Sequence, residues 1–180
     1  MDLYRRSVAL YGRFSPGQRD RLGREIAQRG GFVARDLTRR SAVLVIGSSS
    51  LALIDSGSLA ARIRAANARQ MPVWGERSFA AAISNEPRRE TAMLPLAQAM
   101  ARTNLVHDDA ALLAAFDLIV LENDNCRFGD ASVLRTAADL LSQGRSRGEV
   151  VRILMRARAF APSGRHKIVL LPSGSAALQW

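Results

Sequence analysis

Hydrophobic and polar positions in the first half of this 180-residue chain alternate between a strand rhythm and a helix rhythm. Ser7–Tyr11 is a short apolar run closed by Gly12 and reads as a strand. Ser15-Pro16 then reads as a helix cap with proline at the first position, where a missing N–H costs nothing. The helix spans 17–28, burying Leu22 and Ile26. Residues 25–47, EIAQRGGFVARDLTRRSAVLVIG, organise this half of the chain. Gly30 sits where a helix stops in the left-handed conformation, and Gly31 lets a strand start close by. Val43, Leu44, Val45 and Ile46 form a continuous apolar run, which suits a parallel strand covered on both faces. Ser48-Ser49-Ser50 breaks the pattern. A helix over 58–69 comes next, buried through Leu59, Ile63 and Ala66, then a short strand at 71–74. Glu76–Ile83 is a helix with Phe79 and Ile83 inward. The order β-α-β-β-α-β-α predicts a parallel sheet with helices on both faces.

Residues 84–90, SNEPRRE, are polar, contain proline and lack apolar periodicity, so a linker over 85–93 separates a domain at 1–84 from one at 94–160. The second domain reads as helix (94–101), turn, helix (107–116, opened by Asp108 and Asp109) and an extended stretch at 118–121. A tight turn at 122–125 returns the chain through Cys126-Arg127-Phe128 as a small hairpin. Asp130 caps a helix over 131–143 with Val133, Leu134, Ala137, Leu140 and Leu141 along one side, ended by Gly144. Ser146 opens the last helix, where Val150, Val151 and Leu154 face the core. Helix, turn, helix, hairpin, helix, helix is the winged helix-turn-helix order. The last 20 residues, 161–180, read as two short strands around a Pro-Ser-Gly-Ser turn.

Charge changes the picture. The formal net charge is +10, from 26 Lys+Arg against 16 Asp+Glu, which suggests a polyanionic partner. Residues 1–84 hold 14 Arg and 6 acids (net +8), and residues 85–180 hold 12 cations and 10 acids (net +2). Lys167 is the only lysine. Residues 145–167 form a local basic region, with seven cations against Glu149. One cysteine, Cys126, rules out an intrachain disulfide and a Cys-rich zinc site and reads as a structural thiol. His107, at a helix start, and His166, beside a strand, have no metal-ligand spacing around them. The glycines match no phosphate-loop or dinucleotide fingerprint. No enzyme, cofactor or metal is expected. With no apolar run long enough to span a bilayer and no cleavable signal pattern, the expectation is a cytoplasmic protein without a membrane partner.

The ordered segments VALYG (8–12), RGGFVARDLTRRSAVLVIG (29–47), ARIRAANARQMPV (61–73) and ERSFAAAI (76–83) resemble a BRCT domain over roughly residues 4–84. Phe79 stands where many members carry tryptophan. The resemblance implies a phosphate pocket built from the end of the first strand, a neighbouring N–H and a cation on the second helix. In this chain those positions are Tyr11, Gly12, Arg13 and Arg62. Tyr11 replaces a Ser or Thr, and Arg62 replaces a lysine. Residues 94–158 resemble the DNA-binding domain of MerR regulators, most clearly over CRFGDASVLRTAADLLSQGRSRGEVVRIL. Arg127 matches a usual phosphate contact, whereas Asp108 and Ala111 stand where arginines contact DNA and Leu112 replaces an aromatic. The resemblance therefore implies a retained fold without sequence-specific reading of the major groove. Chains joining these two domains resemble the N-terminal part of bacterial proteins that continue into tetratricopeptide repeats; no such repeat is visible.

Two functions remain open from the sequence. One is a non-enzymatic, DNA-associated regulatory or scaffold protein that grips duplex phosphates with weak sequence preference, through the BRCT-like half and Arg127, Arg145, Arg147, Arg152 and Arg156. The other is a protein-interaction adaptor, with phosphopeptide binding or self-association. Arginines restored at 108 and 111 are expected to be exposed and to strengthen duplex binding.

Overall fold

The apolar run 43–46 lies at the centre of a four-stranded parallel sheet. The computed structural model describes residues 2–84, 92–160, 167–170 and 176–179. The chain divides into two units: Met1–Glu90 with Ala114–Asp117, and Thr91–Leu113 with Leu118–Trp180.

The first unit contains β1 (Ser7–Tyr11), α1 (Gln18–Gln28), β2 (Phe32–Ala34), β3 (Ser41–Ile46), α2 (Ala52–Asp55), α3 (Ser58–Asn67), β4 (Val73–Gly75) and α4 (Glu76–Ile83). The sheet order is β2-β1-β3-β4 and every pairing is parallel. Side chains alternate across β3, so both faces need cover. Val43 and Val45 join Val8, Leu10, Leu22, Ile26, Phe79 and Ile83 in one core cluster, which uses α1 and α4. Leu44 and Ile46 point the other way, and α3 covers that side with the fully buried Leu59 and Ile63. Each such side chain contributes about 1.5–3 kcal/mol through burial. The inward faces predicted for α1, α3 and α4 are all buried.

Two local expectations are corrected. Ser15 does not cap α1 with its hydroxyl, which pairs instead with Ser48 Oγ at 3.0 Å; Gly17 holds the N-cap position. A short extra helix, α2, fills the connection after the serine run. At the far end of α1 the reading holds. Gly30 has φ +71°, its N–H bonds to Ala27 O and the Gly31 N–H bonds to Ile26 O, closing the last turn.

The second unit contains β5 (Met93–Pro95), α5 (Leu96–Met100), most of α6 (His107–Ala115), β6 (Leu121–Glu122), β7 (Asn125–Arg127), α7 (Asp130–Ser142), α8 (Arg147–Phe160), β8 (Lys167–Leu170) and β9 (Ala176–Gln179). Strands β5, β7 and β6 form an antiparallel sheet in that order. Sequence reading takes Leu94 as the start of a helix; it is a strand residue paired with Cys126, and Pro95 ends the strand. Strand β6 is also shorter than the stretch 118–121. The Leu118 N–H turns back to Leu113 O and the Val120 N–H goes to Asp130 Oδ2, leaving neither for a ladder. The hairpin turn is the two-residue Asn123-Asp124, both with positive φ, as a tight hairpin requires. Ser146 and Glu149 open α8 with a reciprocal capping box: the Ser146 N–H donates to Glu149 and the Glu149 N–H to Ser146 Oγ. Strands β8 and β9 pair antiparallel as expected; the turn between them and His166 lie outside the described residues.

One carboxylate ties the first unit together at the C-terminal edge of its sheet. Glu76 is 3% exposed at the start of α4. It accepts the Ser15 N–H at 3.2 Å, the Ser48 N–H at 2.8 Å and the Ser48 hydroxyl at 3.0 Å. The loops after β1 and after β3 are thus held to α4 by one side chain. Asp117 acts similarly, accepting the N–H groups of Arg77 and Ser78, each at 2.9 Å. Glu76→Ala leaves part-buried donors unpaired and should destabilise the protein by about 2–3 kcal/mol, whereas Glu76→Gln, which keeps an acceptor, should cost about 1 kcal/mol. Urea unfolding of both variants checks the difference; equal small losses would show that the loops do not depend on this carboxylate.

Candidate functional site

The residues expected to form a phosphate pocket do converge. Strand β1 ends at Tyr11, the backbone turns at Gly12, and α3 brings Arg62 over the Tyr11 ring, with its guanidinium carbon 5.1 Å from the ring centroid. Gly12 is required twice: φ is +84°, and a Cβ there would lie 2.1 Å from Ser50 Oγ. That hydroxyl approaches so closely because it accepts the Arg13 N–H at 2.7 Å. The Arg13 N–H is therefore already committed, while its side chain is exposed.

Arg62 is committed as well. Its Nε donates to Asp36 Oδ1 at 2.8 Å and its second nitrogen to Oδ2 at 2.7 Å, a two-pronged pair in which Arg62 is 35% and Asp36 49% exposed. Burial works to raise the pKa of Asp36, but the hydrogen bonds from Arg62 and the Leu37 N–H outweigh it, and the carboxyl ionises below the ordinary aspartate range. The hydrogen bond to Asp36 in turn raises the pKa of Arg62. An incoming phosphate at this position competes with an internal carboxylate for the same planar fork.

The arginines expected to grip DNA from the second unit are distributed differently. Arg145, Arg152 and Arg156 fall on one stripe at helical spacing, with Glu149 between them. Arg145 pairs with Glu149 at 3.7 Å. The Ser146 N–H and hydroxyl, then Arg145 and Arg152, hold the Glu149 carboxyl below its ordinary value. Arg147 is turned away from that stripe to Asp109, which it meets at 2.6 Å. Arg127 is half-buried on β7. Beside it, Cys126 is fully buried; burial and the Asp130 carboxylate push its thiol up, away from the reactive thiolate form.

The largest departure concerns α6. Every residue from 109 to 115 is buried, Ala111 to 2% exposure, Leu112 to 7% and Asp109 to 6%. Leu112 lines a small, mainly apolar cavity with Leu105, Ala137, Leu141 and Val150, beside the Asp109–Arg147 pair. The expectation that positions 108 and 111 are exposed is corrected: Asp108 is half-buried and Ala111 buried, so an arginine at 111 would bury a charge instead of meeting a phosphate.

Sequence reasoning missed a third set of cations. Arg5, Arg6, Arg39, Arg40 and Arg69 line two adjoining open cavities of about 870 and 760 Å³ beside the starts of β1 and β3. All five are exposed, and no ion pair among the described residues involves Arg5, Arg6, Arg39 or Arg40. Two short Arg-Arg pairs, 34 residues apart, gave no local signal; the parallel register of Ser7 with Ser41 joins them.

The Asp36–Arg62 pair sets up a direct test. An exposed pair is worth up to about 1 kcal/mol, so Asp36→Ala should raise the affinity of phosphoserine peptide for this position by as much as about fivefold, and Arg62→Ala should remove the gain. Because Asp36 titrates below its unfolded value, its contribution to stability is fully present above that unfolded value and is lost as pH falls through the lower folded one. Calorimetric titration of the two variants checks the affinity; unchanged binding in Asp36→Ala would show that this carboxylate does not compete.

Among the described residues no cluster of metal-ligating side chains is present, and no helix is long and apolar enough to cross a membrane. No family model, curated protein or solved structure matches this chain.

Proposed function

We infer that this protein is a non-enzymatic, nucleic-acid-associated scaffold that binds through phosphates and does not read base sequence. The observation that carries this reading is the burial of α6 beside a formal net charge of +10. A helix that reads the major groove needs an exposed face with polar readers. Residues 109–115 offer none, and the excess charge still favours a polyanion.

The architecture supports assigning the units more finely. A parallel sheet in the order β2-β1-β3-β4, with α1 and α4 on one face and α3 on the other, supports a BRCT-like first unit. The sheet β5-β7-β6, with α5 and α6 before its hairpin and α7 and α8 after, supports a winged helix-turn-helix in the second. On this reading the second unit keeps the fold and lacks the groove-reading role. Fold alone is a weak warrant for function, so the charge distribution bears the weight.

An adaptor role has one specific observation in its favour. Phe128, just past β7, is 70% exposed and its N–H donates to Ala92 O; Met93, on β5, is 42% exposed. A large exposed aromatic such as Phe128 suits a protein contact.

Anisotropy titrations of random duplex and single-stranded oligonucleotides at several salt concentrations separate these readings. The scaffold reading predicts a log affinity falling with log salt at a slope of about −3 or steeper, with unrelated sequences competing within a few-fold. A preference above about tenfold for one sequence, or no binding at low salt, would overturn it; the second result would favour the adaptor.

A further inference from the structure

The basic concavity at the start of the sheet is built differently from the Tyr11–Arg62 position. Its walls lie around the starts of β1, β2, β3 and β4, whereas Tyr11 and Gly12 lie at the end of β1, with Arg62 held over Tyr11 from α3. In a parallel sheet these are opposite edges, separated by the five residues of β1, about 16 Å. Arg6, Arg39 and Ser41 line both cavities, so the two adjoin along these residues and together make one basic groove on the surface.

Three features describe its ligand. The groove carries five arginines against Asp2 as its one acidic wall residue, and Asp2 Oδ1 already accepts the Tyr4 N–H at 2.9 Å. Arg69 reaches across to Thr38 O at 3.4 Å, while Arg5, Arg6, Arg39 and Arg40 carry no carboxylate partner among the described residues. Aromatic surface stands beside these cations. Phe32 lines the groove and is 43% exposed; Tyr4 is 61% exposed, with the Arg5 guanidinium carbon 5.2 Å from its ring centroid. Arg5 is also held at φ +56°, an uncommon conformation for a side chain of this size, by the bond from its N–H to Gly30 O.

A linear polyanion with flat, stackable groups fits all three. A concave groove lined by cations follows a flexible strand, whereas a rigid duplex is met by a protruding element that enters its grooves. We propose that this groove binds single-stranded nucleic acid, with Arg5, Arg6, Arg39 and Arg40 on successive phosphates and Phe32 and Tyr4 stacked on bases. The assignment rests on the nucleic-acid reading above and names its site and strandedness.

The test uses fluorescein-labelled oligothymidine and a hairpin duplex of equal phosphate number, each titrated with the full chain at low salt. Arg39→Glu/Arg40→Glu is compared with Arg21→Glu/Arg24→Glu, which makes the same charge change on two exposed positions of α1. The groove variant should lose about 20-fold or more in oligothymidine affinity and the α1 variant less than about threefold. Phe32→Ala should lose about fivefold for oligothymidine and almost nothing for the duplex. Circular dichroism confirms folding, and Arg39→Ala/Arg40→Ala replaces the charge reversal if that variant does not fold. Equal losses in the two double variants would overturn the groove while leaving phosphate-driven binding intact. Tighter binding of duplex than of oligothymidine would overturn the strandedness. No binding of either probe by the unaltered chain would overturn the nucleic-acid reading itself.

Discussion

The buried carboxylate of Glu76 collects N–H groups from two loops that the sequence places far apart, and the shape of the first unit's C-terminal sheet edge depends on it. A loop that leaves a parallel strand must satisfy its backbone donors without a ladder, and a charged acceptor does so more strongly than a neutral one. The same solution recurs through the chain. Asp117 serves Arg77 and Ser78, Asp130 serves Val120, Asp109 serves Val106, and Asp36 serves Leu37. Asp36 and Asp109 do both jobs, each accepting a backbone N–H and an arginine, so among 16 acidic residues and 26 cations they also fix which arginines are paired.

What distinguishes one arginine from another is whether a carboxylate is left for it. Arg29, Arg62, Arg145 and Arg147 have one, and each is more firmly placed for it. Those pairs are only partly desolvated, so their worth in stability is modest. Their effect on recognition is larger, because a fork already filled by Asp36 or Asp109 must be vacated before it meets a phosphate. Arg5, Arg6, Arg39 and Arg40 face no such competition, and parallel pairing of β1 with β3 brings the segments carrying them to one edge.

Much of the fold was legible. The bounds of β1 and α4 match the sequence reading, as do the buried faces of α1 and α3, because strand and helix rhythms there are carried by large apolar residues. The exposure of helix α6 was misread. HDDAALLAA has a polar start and an alanine-rich body, and small residues carry too little contrast to reveal that the helix has no exposed side. Strand β5 was missed because three residues ending in proline show no period. Glu76 looked like an ordinary carboxylate in a first helical turn; its burial depends on partners 61 and 28 residues away. The Asp36–Arg62 pair, 26 residues apart, is likewise a product of topology, which a linear reading of charge does not capture.

The central claim is that phosphates are met by the arginines without internal partners. Arginine side-chain Nε–Hε resonances, assigned and followed by NMR during an oligothymidine titration, report on this directly. The signals of Arg5, Arg6, Arg39 and Arg40 are expected to shift and broaden at the lowest ligand ratios, while those of Arg62 and Arg147 stay in place. Early shifts at Arg62 and Arg147 with no change at Arg39 and Arg40 would contradict that claim.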